Sequence, residues 1–391
     1  MANRKISELT ALTAPAAGDT FAILDVGASG VEVNKKITYA NVLGKVSNKN
    51  LIINGSVIIS QRYGTSNKTI GSSSTYGPDR IAAITQTGSS HTLAQTADGP
   101  SGFKYSAKVT IGTGGSPSAA NKNYLYQTIE GNNVAHLGSG TSSAETVTLS
   151  FWVKSSLTGN FGAAIVSGAA DHSYTFPYTI SSANTWEKKT KTIALPTSGG
   201  TWATDNSGGL MVMFDLGSGS DFEGTANQWN SAFDVRASSD VKLMATNSAT
   251  WYVTGIQLEV GDFPSSFEFI SYGSELLRCQ RYYEHSYNLG ISVGSNTNVG
   301  GYHQNINSDN NGHIVFSVEY KVTKRDTPTQ IFYTYGGTAG SWNFNGESVT
   351  AGVQTVNSNR SSQNNLGGYL STGANWDPSL VYGHWTSSAE L

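Results

Sequence analysis

The stretch WYVTGIQLEV, residues 251–260, carries two alternations that do not match. Trp251 and Val253 fall on one phase of a two-residue period, and Ile256, Leu258 and Val260 fall on the other. Successive strand side chains point to opposite faces, so both sets reach one core only if an extra residue is inserted between them. The flip at Gly255 therefore predicts a β-bulge in a long strand. Outward from it, residues 146–153 (TVTLSFWV) alternate as a half-buried strand should. Residues 210–216 are apolar except for Asp215, which predicts a strand covered on both faces. Leu51-Ile52-Ile53 and Val57-Ile58-Ile59 flank Asn54-Gly55, a hairpin signal. Gly/Ser/Thr loops separate these runs, which together predict a two-sheet β-sandwich over residues 50–272.

Residues 1–49 read differently. Phe21 to Val26 is a short apolar run that predicts a strand, Val31 and Val33 suggest its partner, and Thr38 is placed to cap a short helix over 39–46. So small an apolar content does not make an independent core, and such a segment borrows its core from a partner. Residues 273–287 are unusually charged and read as a connector, with Ser274 as a helix cap and Cys279 as a buried small hydrophobe at a junction. From 288 to 391 a further β domain is expected. Ile314, Phe316, Val318, Tyr320 and Val322 share one face of a strand, and 331–335, 349–356 and 380–385 are further strands. No repeat of solenoid or propeller period is visible.

Composition narrows the function. Charged residues make up 13% of 391, about half the usual share, and the net charge is −3, so no global field draws the chain to nucleic acid or anionic lipid. Eight Trp, 19 Tyr and 14 Phe must be buried or must bind something. With 44 Gly, the chain reads as all-β with many turns. The single cysteine allows neither a disulfide within the chain nor a CxxC zinc site. There is no apolar stretch of signal-peptide or membrane-span length, so the expectation is a protein made in a cytoplasm, without membrane insertion.

Several segments carry a resemblance: NLIINGSVIISQR (50–62), DGPSGFKYSAKVT (98–110), TVTLSFWVKSS (146–156), ANTWEKKTKTIALP (183–196), GLMVMFDLG (209–217), ATWYVTGIQLEVG (249–261) and ELLRCQRYYE (275–284). In this order they resemble the carbohydrate-binding-module-like jelly roll of tailed-phage fibre and appendage proteins. The stretch ISELTAL…DTFAILDV…KKITYANVL (6–43) is similar to the virion-anchoring segment of phage fibres, and YGHWTSSAEL (382–391) to their last strand. The resemblance implies a homotrimeric fibre in the virion, docked by residues 1–49 to an adaptor, tail or capsid protein, with the C-terminal domain as the receptor-binding tip. One departure is Ile81 after Asp79-Arg80, where the pattern has an aromatic.

Enzymatic signatures do not assemble. The G-x-G pairs lack the third glycine of a dinucleotide fingerprint, and Gly336-Gly337-Thr338-Ala339-Gly340 only mimics a nucleophile elbow. Asp215, Asp221 and Glu223 flank a Gly/Ser loop, a setting for a structural loop, a calcium site or, least of all, a glycosidase pair. The seven histidines share no ligand spacing; a threefold site from His303 or His313 on a trimer axis is the one metal arrangement to consider. No catalytic residue, metal or other cofactor is expected.

Aromatics offer the best lead, because sugars stack C–H faces on indole and phenol rings while Asn binds their hydroxyls. Trp152 and Trp251 lie in strand patterns and are assigned to the core. Trp202, Trp229, Trp342 with Asn343, Trp376 with Asn375, and Tyr335 are the glycan-binding candidates. The function expected is a non-catalytic fibre subunit that attaches a virion to host-surface polysaccharide. A capsid decoration or head fibre, and a polysaccharide depolymerase, are the alternatives.

Overall fold

The computed structural model describes residues 20–26, 32–38, 50–237, 240–305, 313–346, 349–357, 360–371 and 378–391. The chain divides into two compact units, Met1–Lys49 and Asn50–Leu391. In the first, strands β1 (Thr20–Val26) and β2 (Glu32–Thr38) pair antiparallel, Thr20 opposite Thr38 and Val26 opposite Glu32. The helix expected over 39–46 lies outside the described residues.

The second unit is all-β. Its first strands are β3 (Lys68–Thr69), β4 (Thr75–Tyr76), β5 (Ala82–Thr85), β6 (Thr92–Thr96), β7 (Ser106–Thr110), β8 (Asn123–Glu130) and β9 (Thr146–Ser155). They are followed by β10 (Gly159–Ser167), β11 (Ser173–Ile180), β12 (Glu187–Ala194), β13 (Gly208–Asp215), β14 (Trp229–Asn230) and β15 (Thr250–Val260). A seven-stranded sheet in the order β14-β11-β10-β13-β8-β5-β4 faces a six-stranded sheet in the order β12-β9-β15-β7-β6-β3. Between them lies the main core. Phe161, Phe176, Val212, Phe214 and Leu125 from one sheet meet Phe151, Val153, Trp251, Leu258 and Val109 from the other. Phe214 and Trp251 rings stand 5.4 Å apart and Phe151 and Phe214 4.9 Å.

The bulge in β15 is present. Its register against β9 shifts between Thr254 and Gln257, and Gly255 has φ +60. A Cβ there would come within 2.8 Å of Phe103 Cζ and 3.0 Å of Trp152 Cδ1. Trp251 is fully buried, but Trp152 is only half-buried, on the outer face of its sheet. Strand alternation explains the split: Phe151 and Val153 take the inward phase and Trp152 the outward one.

The hairpin expected at Asn54-Gly55 is corrected by the structure. Residues 51–59 form turns, not paired strands, because their polar groups are taken elsewhere. Leu51 N donates to Leu258 O and Ile256 N to Gly55 O, at the bulge. Gln127 accepts from Ile53 N and donates to Ile53 O, both at 2.8 Å. Asn54, at φ +61, closes its own loop by exchanging side-chain bonds with Ile59.

The helix Tyr272–Gln280 follows, capped by Ser271 and not Ser274: the Ser271 hydroxyl accepts from Ser274 N. Cys279 is buried among Ile53, Ile59 and Tyr282, and burial pushes its thiol well above the ordinary range. Beyond it lie β16 (Tyr283–His285), β17 (Tyr302–Asn305), β18 (His313–Glu319), β19 (Thr329–Tyr333), β20 (Ser341–Gly346), β21 (Val349–Asn357), β22 (Asn365–Ser371) and β23 (Pro378–Ser388). The long β23 is the spine of this sheet, pairing with β16, β17, β19 and β20, and β20 leads on through β21 and β22 to β18. The sheet bends until Phe316 of β18 lies 4.5 Å from Trp342 of β20, which stacks on Tyr302 of β17 at 5.2 Å.

Candidate functional site

The seven-stranded sheet is apolar on both faces, which is unusual for an antiparallel sheet at a sandwich surface. All eight positions of β8 are buried. Leu125 and Ile129 point to the main core, whereas Tyr124 and Tyr126 point outward with Ala82 of β5, Met213 of β13, and Ala164 and Val166 of β10. On the β10–β11 side this outer face is covered by residues 222–236, where Phe222, Phe233 and Val235 lie on it and Asn227 N donates to Thr175 O. The cover reaches β8 through Phe233 and leaves Tyr124 and Tyr126 5% and 7% exposed. What remains is an open groove of about 580 Å³ lined by Ile84, Lys122, Tyr124, Tyr126, Met211, Met213 and Phe233, among others.

The rings of the groove hold one another edge to face. Tyr124 lies 5.6 Å from Tyr126 and 5.9 Å from Phe233, which lies 5.8 Å from Phe222. Tyr126 Oη donates to Ser74 Oγ at 2.6 Å, and Lys122 Nζ stands 5.7 Å from the Phe233 ring. Burial pushes the Tyr124 phenol up to about 12, so it is a neutral donor at any physiological pH. No Asp or Glu side chain lines the groove among the described residues, and Leu391 forms part of its wall.

The carboxylates of the 215–223 loop have other work. Asp215 is fully buried, accepts from Gly217 N at 2.9 Å and Ser218 N at 2.8 Å, and faces Arg236 Nε at 3.6 Å. Burial outweighs those bonds and lifts its carboxyl to about 6. Glu223 pairs with the same guanidinium at 2.5 Å, and Arg236 also donates to Asp240 O. The loop is a cation-centred structural knot. No group of three or more metal-ligating side chains occurs among the described residues.

The glycan candidates separate into three cases. Trp202 and Trp229 come together at the sheet edge, 5.7 Å apart, with Tyr174 5.6 Å from Trp229. Trp229 Nε1 donates to Ala194 O on the opposite sheet, and Trp202 Nε1 to Gly199 O. The pair plugs the open edge of the sandwich, packed against the core and partly buried. Trp342 is corrected: it is fully buried, with its indole N–H donating to His384 O at 2.7 Å, and no ligand reaches it within this chain. Asn343 accepts from Tyr335 N at 2.9 Å, and Tyr335 packs on Tyr382 at 4.9 Å, so these two are drawn into one half-buried polar cluster. Asn375 and Trp376 lie outside the described residues. Sequence reading passed over the groove, although the all-buried β8 and the doubly covered β13 were its signal.

Asp79 and Arg80, the pair that precedes Ile81, are buried in a charge cluster. Arg80, at φ +67, lays its guanidinium 3.6 Å from the Tyr282 ring centre and pairs with Glu390. Arg62 lies 3.6 Å over Tyr283, 3.0 Å from the same Glu390 and 3.9 Å from Asp79.

No protein-family model matches the chain, and no curated protein does. Similar solved structures include one described as "CBM4 structure and function", 15% identical over 53% of this chain and 98% of that one, with a TM-score of 0.27. The tandem CBM22-1–CBM22-2 domains of Xyn10C from Paenibacillus barcinonensis are 12% identical over 85% of this chain and 92% of theirs, at 0.26. The enzymatically active domain of tailspike protein 4 of bacteriophage CBA120 is 13% identical over 46% of this chain, at 0.27, and the match spans 19% of that domain. Likeness at this level assigns neither a family nor an activity.

Proposed function

We propose that this chain is a non-catalytic phage fibre subunit that binds a neutral glycan of the host surface in the groove of the seven-stranded sheet. The observation that carries the reading is the groove itself: an aromatic and methionine-rich outer sheet face, open over about 580 Å³, in the size range of small-ligand sites. Tyrosine rings and methionine side chains suit the C–H faces of a sugar, and the Thr128 and Ser74 hydroxyls suit its oxygens. Hydrolysis of a glycoside needs two carboxyl groups facing the bond, and no Asp or Glu side chain lines the groove among the described residues. Binding without cleavage is therefore the favoured chemistry. In this reading residues 1–49 dock the subunit to the virion, and residues 288–391 stand at the distal end. Three subunits per fibre would raise avidity by about 10²–10⁴ over one site.

Glycan-array binding followed by titration tests this. Met211 is half-buried in the groove wall, so Met211→Glu places a charge there without opening the core. The expected result is a neutral-glycan signal from the parent protein and a loss of affinity of about tenfold or more in the variant, with an unchanged circular dichroism spectrum. A parent protein that binds no glycan, or a variant that binds as well as the parent, overturns the site. The fibre assignment further predicts a solution mass three times 41.4 kDa by light scattering.

A further inference from the structure

A second opening lies on another part of the same unit, where the start of the helix Tyr272–Gln280 faces the turn at residues 60–66. It holds about 480 Å³ and is lined by Tyr63, Gln95, Lys104, Tyr105, Tyr272 and Leu289, with serines, threonine and glycines between them. Its wall is built firmly. Gly64 N donates to Ser60 O and Ser66 N to Tyr63 O, which fixes the turn carrying Tyr63. Gln95 is buried and its amide donates to Val57 O at 2.6 Å. Tyr272 is 51% exposed, a large value for a ring at the start of a helix.

The groove is lined by a single lysine, Lys122, together with Leu391, whereas two ammonium groups stand beside the rings of this cleft. Among the described residues its lining contains one formal charge, Lys104, and no carboxylate. Lys104 Nζ stands 5.0 Å from the Tyr105 ring centre, and Lys68 Nζ lies 5.0 Å from the Tyr63 ring. Two of the three phenol rings therefore carry an ammonium beside the face on which a flat ligand would stack. A ring lying on Tyr105 or Tyr63 would bring a substituent within reach of a cation, and an anionic substituent gains more from that than a neutral one.

From the three tyrosines, the flanking ammonium groups and the missing carboxylates, we infer that this cleft binds an acidic saccharide, one bearing a carboxylate or sulfate on a sugar ring. The sugar face stacks on tyrosine, phenol and serine hydroxyls bond its hydroxyls, and Lys104 pairs with the acid. The inference is independent of the groove, which takes a neutral glycan and lies on the other sheet.

The test is titration of the full chain with trigalacturonic acid, with its uncharged methyl ester, and with a sulfated galactotriose. The acidic trisaccharides, one or both, are expected to bind about tenfold more tightly than the ester, and whichever binds identifies the acid. Added salt weakens that binding, since Lys104 is exposed. Lys104→Gln is expected to weaken the acid at least about fivefold, Lys104→Arg to restore it, and Tyr272→Ala, at an exposed position, to weaken acid and ester together. Met211→Glu leaves this binding unchanged, which separates failure of the groove from failure of the cleft. Equal affinity for acid and ester, no binding by either acid, or full binding in Lys104→Gln would overturn the inference.

Discussion

At the scale of single residues, His285 shows what burial does to a group whose charge is only marginally stable. Its Nε2–H donates to Gln61 O at 2.8 Å, and burial pulls its pKa from 6.5 down to about 4. Between those values the unfolded chain takes up a proton that the folded chain refuses. Stability therefore falls as pH drops from about 6.5 to 4, by about 3 kcal/mol when the drop is complete. Asp215 works the other way: its carboxyl, raised to about 6, lets the folded state hold a proton that the unfolded state loses. The two overlap, so the parent profile alone is ambiguous. The difference between parent and His285→Gln isolates the imidazole: urea midpoints measured from pH 7 to 4.5 should fall less steeply in the variant. Identical slopes would place the imidazole in water. The sequence showed some residue roles and hid others. Trp251 and Cys279 declare themselves core by local pattern. Trp342 looks like a loop residue because Gly340-Ser341 precedes it, yet β20 starts at Ser341 and drives the ring inward. Arg80 could not be placed, because its partner Glu390 is 310 positions away.

At the scale of elements, local periodicity proved legible and pairing did not. The phase flip in residues 251–260 located the bulge of β15 to the residue, because a two-residue period admits no other way to keep both halves on one core. Asn54-Gly55 misled because a hairpin signal specifies a turn but not the partner of its flanks, and here β15 and Gln127 outcompeted the flanks for each other's hydrogen bonds. The groove was half legible: residues 210–216 announced a second covered face, but what covers it, residues 222–236, has no regular pattern to read. Gly255 gives the element-scale prediction. Its positive φ disfavours any side chain, and a Cβ would press on the Phe103 and Trp152 rings. Gly255→Ala should cost about 1–3 kcal/mol, seen as a lower urea midpoint at unchanged slope. A midpoint within error of the parent would show that the bulge is not under steric constraint.

At the scale of the whole molecule, the question is whether the C-terminal sheet is an independent domain or part of the sandwich's cooperative unit. The bonds between them are numerous and buried. Arg281 pairs with Glu130 at 2.6 Å, and Tyr282 Oη donates to the same carboxylate at 2.9 Å. Arg325 donates to Asn206 O, and Gln61 donates to Tyr283 O while accepting from His285. Glu390 is the centre of this contact, because two guanidiniums, each over a tyrosine ring, share its carboxylate. Removing one partner of a buried charge set leaves the others desolvated and uncompensated, which costs far more than the set contributes to net stability. Glu390→Gln keeps the shape and removes the charge, stranding Arg62 and Arg80 together. The expected cost is about 3–5 kcal/mol, placed at the junction and not in either core. Calorimetry of the parent should then show residues 50–391 melting in one transition, and the variant should split into two, with the C-terminal sheet melting first. Near-ultraviolet circular dichroism assigns the early step, because Trp342 and Trp385 lie in that sheet and Trp251 lies in the sandwich. A parent that already melts in two steps would mean that the junction joins two autonomous folds, with the aromatic groove completed across it by Leu391.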